Sequence, residues 1–477
     1  MVQDLLFTAP FTFLSVMAII AMVLDALIVN SSRITFIFSA ITLLISGILG
    51  ISTFGLHGIG FNGMVTGGGF AAYFDILFSI GGLLTILTSR QYLQRENIEH
   101  DEFYSLVLFA VAGMMLIAHS NHLLILFIGI EVMSVSFYIL SGYMRNNAKS
   151  VESSLKYFLL GAFATGFLVY GIALIYGSTG SMDYNQIALN INNNALNFPA
   201  LLPIGVALIV IGLSFKAAAF PFHQWAPDVY QGAPTIVTAF MSTAGKAAAF
   251  AAFIPIVTVL MPSAPVKLQM IFAVMSAATM LIGNISALAQ SNIKRMLAFS
   301  SVAHAGYIMM GLVSGSQYGY GGIVFYLTAY MFMQIGSFII VAILERNGEK
   351  YLELSDYAGL SKRHPVLAAF MAIFMLSLAG IPPFAGFFGK YFLFTAAIDA
   401  GFLWLTLVGV LSSIISVYFY IGLIVKMYFT EPEGQREDNE VGMSGLSLII
   451  TIAGVIVLGI LPSGILSIAS NLFNSTH

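Results

Sequence analysis

Four ionisable side chains stand in strongly apolar surroundings: Glu131 in LFIGIEVMSV, Lys216 in GLSFKAAAF, Lys246 in STAGKAAAF and Lys390 in FAGFFGKYF. Placed near the centre of a bilayer, such a group costs ~2.5–3.5 kcal/mol on insertion scales, so each needs a reason to be there. An ion pair with Glu131 accounts for at most one lysine of the three, because Asp25 and Asp75 belong to early apolar runs. A lysine without an acidic partner eases its burial by shedding its proton. A group that is charged or neutral at modest cost can relay protons. These residue types therefore point to proton transfer along a series of buried amines, with purely structural pairing as the competing reading.

Polar stripes accompany the amines. Thr238, Ser242 and Lys246 recur every four residues and are expected to share a helix face. Tyr326, Tyr330, Gln334 and Ser337 form a second line; Ser300, His304 and Tyr307 a third; Ser412, Ser416 and Tyr420 a fourth. Hydroxyls at this spacing often only join helices together. Four stripes beside three buried lysines suggest a hydrated axis. Glu152 and Lys156 form an i,i+4 pair that reads either as a surface ion pair or as a gate competing for Glu131. His223 follows Pro221 at a helix break and could shuttle protons, whereas His119 and His122 read as interfacial. No two histidines are disposed as haem ligands on facing spans.

The elements that must position these groups are membrane spans. Hydrophobic residues are 59% of the 477-residue chain and charged residues 8%, where a soluble domain carries about 25% charged. So few charges cannot clothe a soluble fold of this size. Apolar runs of the ~20 residues a spanning helix needs occur at roughly 8–30, 34–54, 69–88, 103–118, 123–143, 153–176, 200–222 and 236–261. Others follow at roughly 268–288, 296–314, 322–344, 366–395, 403–427 and 446–467, about fourteen in all. With the N-terminus outside, Arg33, Arg90, Arg95, Arg145, Lys149, Lys156, Lys294, Arg295, Arg346, Lys350, Lys362, Arg363, Lys426 and Arg436 all fall in or beside inside loops. Only Lys267 falls outside, which satisfies the positive-inside rule with both termini on the outer side.

Several function classes drop out. The polar stretches near 90–102, 178–198, 345–365 and 430–442 are loop-sized, too short for a nucleotide- or substrate-binding module. Gly67-Gly-Gly69 precedes a span rather than opening a strand–helix phosphate loop. A net charge of −3 offers no basic patch for nucleic acid, and the absence of cysteine removes disulfides, thiolate-bound clusters and thiol catalysis. The N-terminal MVQDLLFTAP lacks the basic leader and cleavage site of a secretory signal, so the first apolar run reads as a retained helix.

An internal repeat gives the architecture. Leu213-Ser214 to Pro221-Phe222 recurs about 163 residues later as Leu376-Ser377 to Pro383-Phe384, with proline breaking spans seven and twelve. The expected fold is all-α and integral to the membrane, with two inverted five-helix repeats, spans 4–8 and 9–13, and broken helices 7 and 12. The divisions are an N-terminal three-helix segment 1–102, repeats 103–261 and 262–427, and a C-terminal helix 428–477. Broken helices in inverted repeats are a recurring design for ion transport.

The run Phe215-Lys-Ala-Ala-Ala-Phe-Pro-Phe-His-Gln-Trp-Ala-Pro-Asp-Val-Tyr-Gln-Gly-Ala-Pro234 resembles the signature of the antiporter-like subunits of respiratory complex I, and HQWAPDVYQGAP is similar to its subunit N family. Glu152-Ser-Ser-Leu-Lys-Tyr-Phe158, Asn292-Ile-Lys-Arg-Met-Leu-Ala-Phe-Ser-Ser301 and Gly380-Ile-Pro-Pro-Phe-Ala-Gly-Phe-Phe-Gly-Lys390 extend the likeness along the chain. The resemblance implies a proton-translocating subunit of NADH:quinone oxidoreductase in the bacterial inner membrane. By it, Glu131 and Lys216 form a charged pair, Lys246 is the central relay and Lys390 leads outward. Lys156, His223 and Lys294 fall on assisting positions; His122 departs from an expected acidic residue. It further implies that NAD, FMN, iron–sulfur clusters and quinone are handled by other subunits, this chain holding no cofactor. The implied neighbours are antiporter-like subunit M, small subunits such as K and J, the lateral helix of subunit L, and lipid. A subunit of an Mrp-type sodium/proton antiporter is the rival, and a scaffold whose charges only stabilise packing is another.

Overall fold

Apolar runs that cannot leave their peptide groups bare in lipid must close hydrogen bonds internally, and helices do this. The computed structural model describes residues 2–28, 31–260, 265–346, 348, 350–431 and 441–473. Its elements are helices α1 (Val2–Phe7), α2 (Ala9–Leu27) and α3 (Ser32–Thr53), strands β1 (Gly58–Gly60) and β2 (Val65–Gly67), then α4 (Gly69–Arg95), α5 (Glu102–His119), α6 (Leu123–Ser141), α7 (Ala148–Thr179) and α8 (Tyr184–Asn192). There follow α9 (Leu201–Ala217), α10 (Trp225–Gly232), α11 (Thr235–Phe240), a π-turn (Met241–Gly245), α12 (Lys246–Leu260), α13 (Pro265–Leu288), α14 (Ile293–Ser314) and α15 (Gln317–Leu344). A 3-10 turn (Leu354–Tyr357), α16 (Leu360–Arg363), α17 (Pro365–Ala379), α18 (Ala385–Asp399), α19 (Leu403–Phe429), α20 (Gly442–Ile460) and α21 (Pro462–Asn471) complete the chain.

Among the described residues, twelve helices are long and apolar enough to cross a bilayer, taking α11, the π-turn and α12 as one. The expected spans seven and twelve are instead short pairs, α9 with α10 and α17 with α18. Each first member ends on a left-handed residue, Ala218 (φ +56°) or Gly380 (φ +86°), ahead of Pro221 or of Pro382 and Pro383. Proline has no amide to continue the ladder, so the break is written into the sequence.

Local capping fixes the other starts. The Asn147 side chain accepts from the Lys149 and Ser150 amides to open α7, and Asn292 does the same for Lys294 and Arg295 at α14. Alternate helix ends meet. At one end Arg145 bonds Glu102 (2.6 Å), Lys156 bonds Asp228 (2.9 Å) and Lys362 bonds Glu431 (2.8 Å). At the other Asn121 bonds Asp183 (3.1 Å) and Gln317 bonds the Phe473 carbonyl (3.1 Å). The first is the basic end; Arg436 lies outside the described residues. Buried share separates core from lipid face: α14 and α15 bury 94% of their apolar stretches, α2 only 22%, and α7 and α19 33% each.

Three expectations change. Gly67-Gly-Gly69 does join a strand to a helix, because β1 and β2 form a short antiparallel hairpin with Gly58 opposite Gly67. The 178–198 stretch is not all loop: it contains α8, whose start Asp183 caps through the Gln186 amide. His119, read as interfacial, is not exposed at its helix end. It is fully buried, its Nε2 lying 2.9 Å from Asp75 Oδ2 and its Nδ1 2.6 Å from the Thr66 carbonyl. The hairpin folds over the end of α5 and takes that histidine out of water.

Candidate functional site

None of the three lysines reaches the lipid surface: Lys216 is 7% exposed, Lys246 2% and Lys390 4%. A buried amine must find acceptors. Lys216, at the end of α9, donates to Ser134 Oγ (2.7 Å) and Tyr138 Oη (3.3 Å) on α6. Glu131 stands one turn before Ser134 on that helix and accepts instead from Thr165 Oγ1 (2.8 Å) on α7. The expected Glu131–Lys216 pair is thus not closed: among the described residues each bonds separate hydroxyls, and Ser134 donates its own proton to the Ile130 carbonyl rather than to Glu131.

Lys246 begins α12, directly after the π-turn. Its Nζ donates to Ser301 Oγ (2.6 Å) and to the Ser301 carbonyl on α14. The π-turn adds a residue to one helical turn, so the expected stripe Thr238–Ser242–Lys246 does not stay in line. Thr238 turns to the Tyr230 carbonyl (2.9 Å) and Ser242 to the Ala239 carbonyl (3.2 Å), and Lys246 alone reaches α14.

Lys390 lies in α18, beyond the second break. Its Nζ donates to the Ala379 carbonyl (2.9 Å), the Leu378 carbonyl (3.2 Å) and Ser413 Oγ (2.8 Å), and stands 4.7 Å from the centre of the Tyr307 ring. Ending α17 early leaves carbonyls without intrahelical donors, and a cation beside them meets the negative end of the helix.

His304 occupies the space between the last two lysines and is within electrostatic reach of both. Its Nδ1 is 2.6 Å from Tyr326 Oη and its Nε2 3.0 Å from Tyr420 Oη, while Tyr420 also meets Ser300 (2.5 Å). Tyr307 continues the line to Asn284 (3.2 Å), which also donates to Ser412 Oγ (2.7 Å). Three of the expected stripes therefore converge on one buried network. Tyr330 belongs to it through its ring, 5.0 Å from His304 and 5.7 Å from Lys246 Nζ. Ser337 leaves it, bonding the Met333 carbonyl of its own helix. On α6, the Phe137 ring packs on Phe240 at 5.3 Å.

The supporting residues divide. Lys156 is forked between Glu152 (2.7 Å) and Asp228 (2.9 Å), and Asp228 also holds Arg295 (2.8 Å). Glu152, Lys156 and Asp228 line an open cavity of about 200 Å³ at the basic end, whose lining does not include Glu131. His223 packs on Phe220 at 5.9 Å, and its Nδ1 has no partner among the described residues. Lys294 is buried, donating to the Ala233 carbonyl (2.7 Å) with Glu345 Oε1 at 3.9 Å. Reasoning from sequence missed Thr165, Tyr138, Ser301 and Ser413, because ordinary hydroxyls gain meaning only from the amine they face. Asp228 stood in the quoted motif, and its acidity was the available signal. Among the described residues, no group of three or more His, Cys, Asp or Glu side chains could hold a metal ion.

The family described as NADH:quinone oxidoreductase/Mrp antiporter, transmembrane, matches residues 120–416. NADH-quinone oxidoreductase subunit N of Trichlorobacter lovleyi is 42% identical over 462 residues, covering 96% of this chain and 95% of that protein. A chain of respiratory complex I from Thermus thermophilus is 32% identical with a TM-score of 0.82, covering 97% of this chain and 99% of its own. A chain of the Mrp complex from Dietzia shares the fold, with a TM-score of 0.86 at 23% identity over 99% of this chain and 98% of that one. Near-full-length likeness to a subunit N at 42% identity, beside a family match across more than half of the sequence, settles the descent: the chain belongs to the subunit N family of NADH–quinone oxidoreductases.

Proposed function

We propose that this chain is the proton-translocating membrane subunit of an NADH:quinone oxidoreductase, and that Glu131, Lys216, Lys246 and Lys390 carry the proton. The observation that carries the reading is the bonding of the three buried amines. Each is held by hydroxyls or carbonyls rather than by a carboxylate in direct contact. Such acceptors accommodate an ammonium and release a neutral amine without leaving a buried anion behind.

In this account a proton passes from Lys216 to Lys246, then past His304, Tyr330 and the Tyr326–Tyr420 hydroxyls to Lys390. Thr165 and the Ser134–Tyr138 hydroxyls let Glu131 and Lys216 draw together or part, which changes how readily Lys216 holds its proton. Partner subunits that disturb this pair couple redox energy to the axis. Glu152 and Lys156, with Asp228, form a polar mouth, and His223 and Lys294 assist uptake at the basic end. Twelve long spans plus two broken ones give fourteen, with both termini on the periplasmic side of the bacterial inner membrane. The chain then divides as 1–102, 103–261, 262–427 and 428–477, the middle two being inverted repeats. NAD, FMN, iron–sulfur clusters and quinone belong to partner subunits, among them M, K, J and the lateral helix of L.

The test is Lys246→Met in assembled complex in sealed membrane vesicles. NADH oxidation by an artificial acceptor should persist while pumped protons per NADH fall. Unchanged pumping would remove Lys246 from the route.

A further inference from the structure

A second charged cluster lies at the basic end, outside the axis described above. Glu345, just after α15, is fully buried, and neither carboxylate oxygen has a hydrogen-bond partner among the described residues. A buried carboxylate whose neighbouring donors, the Lys294 ammonium and the Tyr92 phenol, stand short of well-formed hydrogen bonds is expensive. Its charged surroundings are Lys294 at 3.9 Å and Glu96, which accepts from the Gly348 amide (2.6 Å), with Arg95 beside Glu96 at 3.5 Å. The Tyr92 and Tyr357 phenols also lie within reach. Lys294 is drawn to the Ala233 carbonyl, and at 3.9 Å its ammonium pairs with Glu345 electrostatically without closing a hydrogen bond.

The orphaned carboxylate does not stand alone. Thr235 Oγ1, Gln334 Oε1 and Tyr330 Oη are also buried without a partner. Their order in space follows the helices. Tyr92 Oη, beside Glu345, accepts from the Thr235 amide (3.2 Å), which starts α11. Gln334 reaches the Leu297 carbonyl (3.2 Å), midway along α14 between Lys294 and Ser301. Tyr330, one turn further along α15, faces the Ser301 hydroxyl, and Ser301 holds Lys246. Buried polar atoms left unpaired in a row are where internal waters bind, since each such water needs about three polar partners.

We propose, resting on the axis reading above, that Glu345 is the carboxylate that takes up protons at the basic end and feeds Lys246 through waters held by Tyr92, Thr235, Gln334 and Tyr330. A proton from inside water joins a Glu345 oxygen, forming the carboxylic acid. It leaves along the waters to the neutral Lys246 amine, which becomes ammonium, and Glu345 returns to carboxylate. Uptake then meets the axis at its middle amine, with the basic end connected to Lys246 independently of Lys216.

The experiment compares Glu345→Gln, Glu345→Asp and Lys246→Met in assembled complex in sealed vesicles. Readouts are artificial-acceptor activity, pumped protons per NADH, and NADH-induced infrared difference spectra in the carboxylic-acid carbonyl region. Glu345→Gln should keep acceptor activity, slow proton transfer through this subunit about a hundredfold, match Lys246→Met in pumping and lose one carboxylic-acid band. Glu345→Asp should restore both. Wild-type pumping and spectrum in Glu345→Gln overturn the inference while leaving the axis standing if Lys246→Met still fails to pump. Wild-type pumping in Lys246→Met overturns the axis and the inference with it. If Glu345→Gln does not assemble, Thr235→Val and Gln334→Leu decide: slowed pumping supports the water line, and unchanged pumping in both overturns it.

Discussion

Lys390 Nζ lies 2.9 Å from the carbonyl oxygen of Ala379, the last residue of α17, across the break that separates it from α18. The amine thus caps the helix that its own span interrupts. Breaking the span creates the acceptors, and the acceptors hold the charge in a place where lipid would otherwise expel it.

Gly380 makes that geometry possible. It is left-handed at φ +86°, and a Cβ there would stand 3.0 Å from Lys390 Cδ and 3.2 Å from its Nζ. Gly380→Ala should cost about 1–3 kcal/mol for the strained backbone and push the amine off Ala379. Lower thermal stability together with reduced pumping is the expected result.

Thr165 supplies the only hydrogen bond described for the Glu131 carboxylate. Thr165→Val keeps the shape and removes the donor from a half-buried carboxylate, at a cost of about 1 kcal/mol. Glu131 should then move toward Lys216. Pumping should fall while artificial-acceptor activity is preserved, whereas Thr165→Ser should pump normally.

The Asp75–His119 pair ties α4 to the end of α5 beneath the hairpin. Removing one partner of a fully buried pair typically costs about 3–5 kcal/mol. Asp75→Asn should therefore lower the amount of assembled complex and its melting temperature, and pumping per assembled complex should be unchanged. A pumping defect at normal assembly would assign the pair a part in transport.

Burial, then the neighbouring Glu345 carboxylate, push the Glu96 carboxyl above the usual range, against a smaller pull from the Gly348 amide. A carboxyl raised in the folded state binds more protons there than in the unfolded chain. Its contribution to stability is therefore lost as pH rises from the unfolded value through the folded one. Glu96→Gln, which still accepts from Gly348, should flatten this fall in melting temperature between acidic and neutral pH.

The buried amines were legible because a charge within twenty apolar residues has no innocent place in a bilayer, and the two breaks because Pro221 and Pro383 cannot continue a helix. On α15, Tyr326 and Tyr330 reach His304, while Gln334 bonds the Leu297 carbonyl and Ser337 its own helix. The π-turn at Met241–Gly245 left no mark, since Met-Ser-Thr-Ala-Gly suits an ordinary helix, so the face of Ser242 was misassigned. His119 misled because its partner Asp75 is 44 residues away and the hairpin that covers it has three-residue strands. Glu345 escaped notice for another reason. A charge at a helix end is normally in open solvent, and only the packing of Tyr92, Glu96 and Tyr357 around it takes it out of the bulk.

Replacement of Lys246 by arginine tests the central claim most directly, because a guanidinium keeps the positive charge and does not give up its proton. If the buried amine works by losing and regaining a proton, assembled Lys246→Arg complex should oxidise NADH with an artificial acceptor yet pump no better than Lys246→Met. Wild-type protons per NADH in the arginine variant would show that only the charge matters, and would contradict the account.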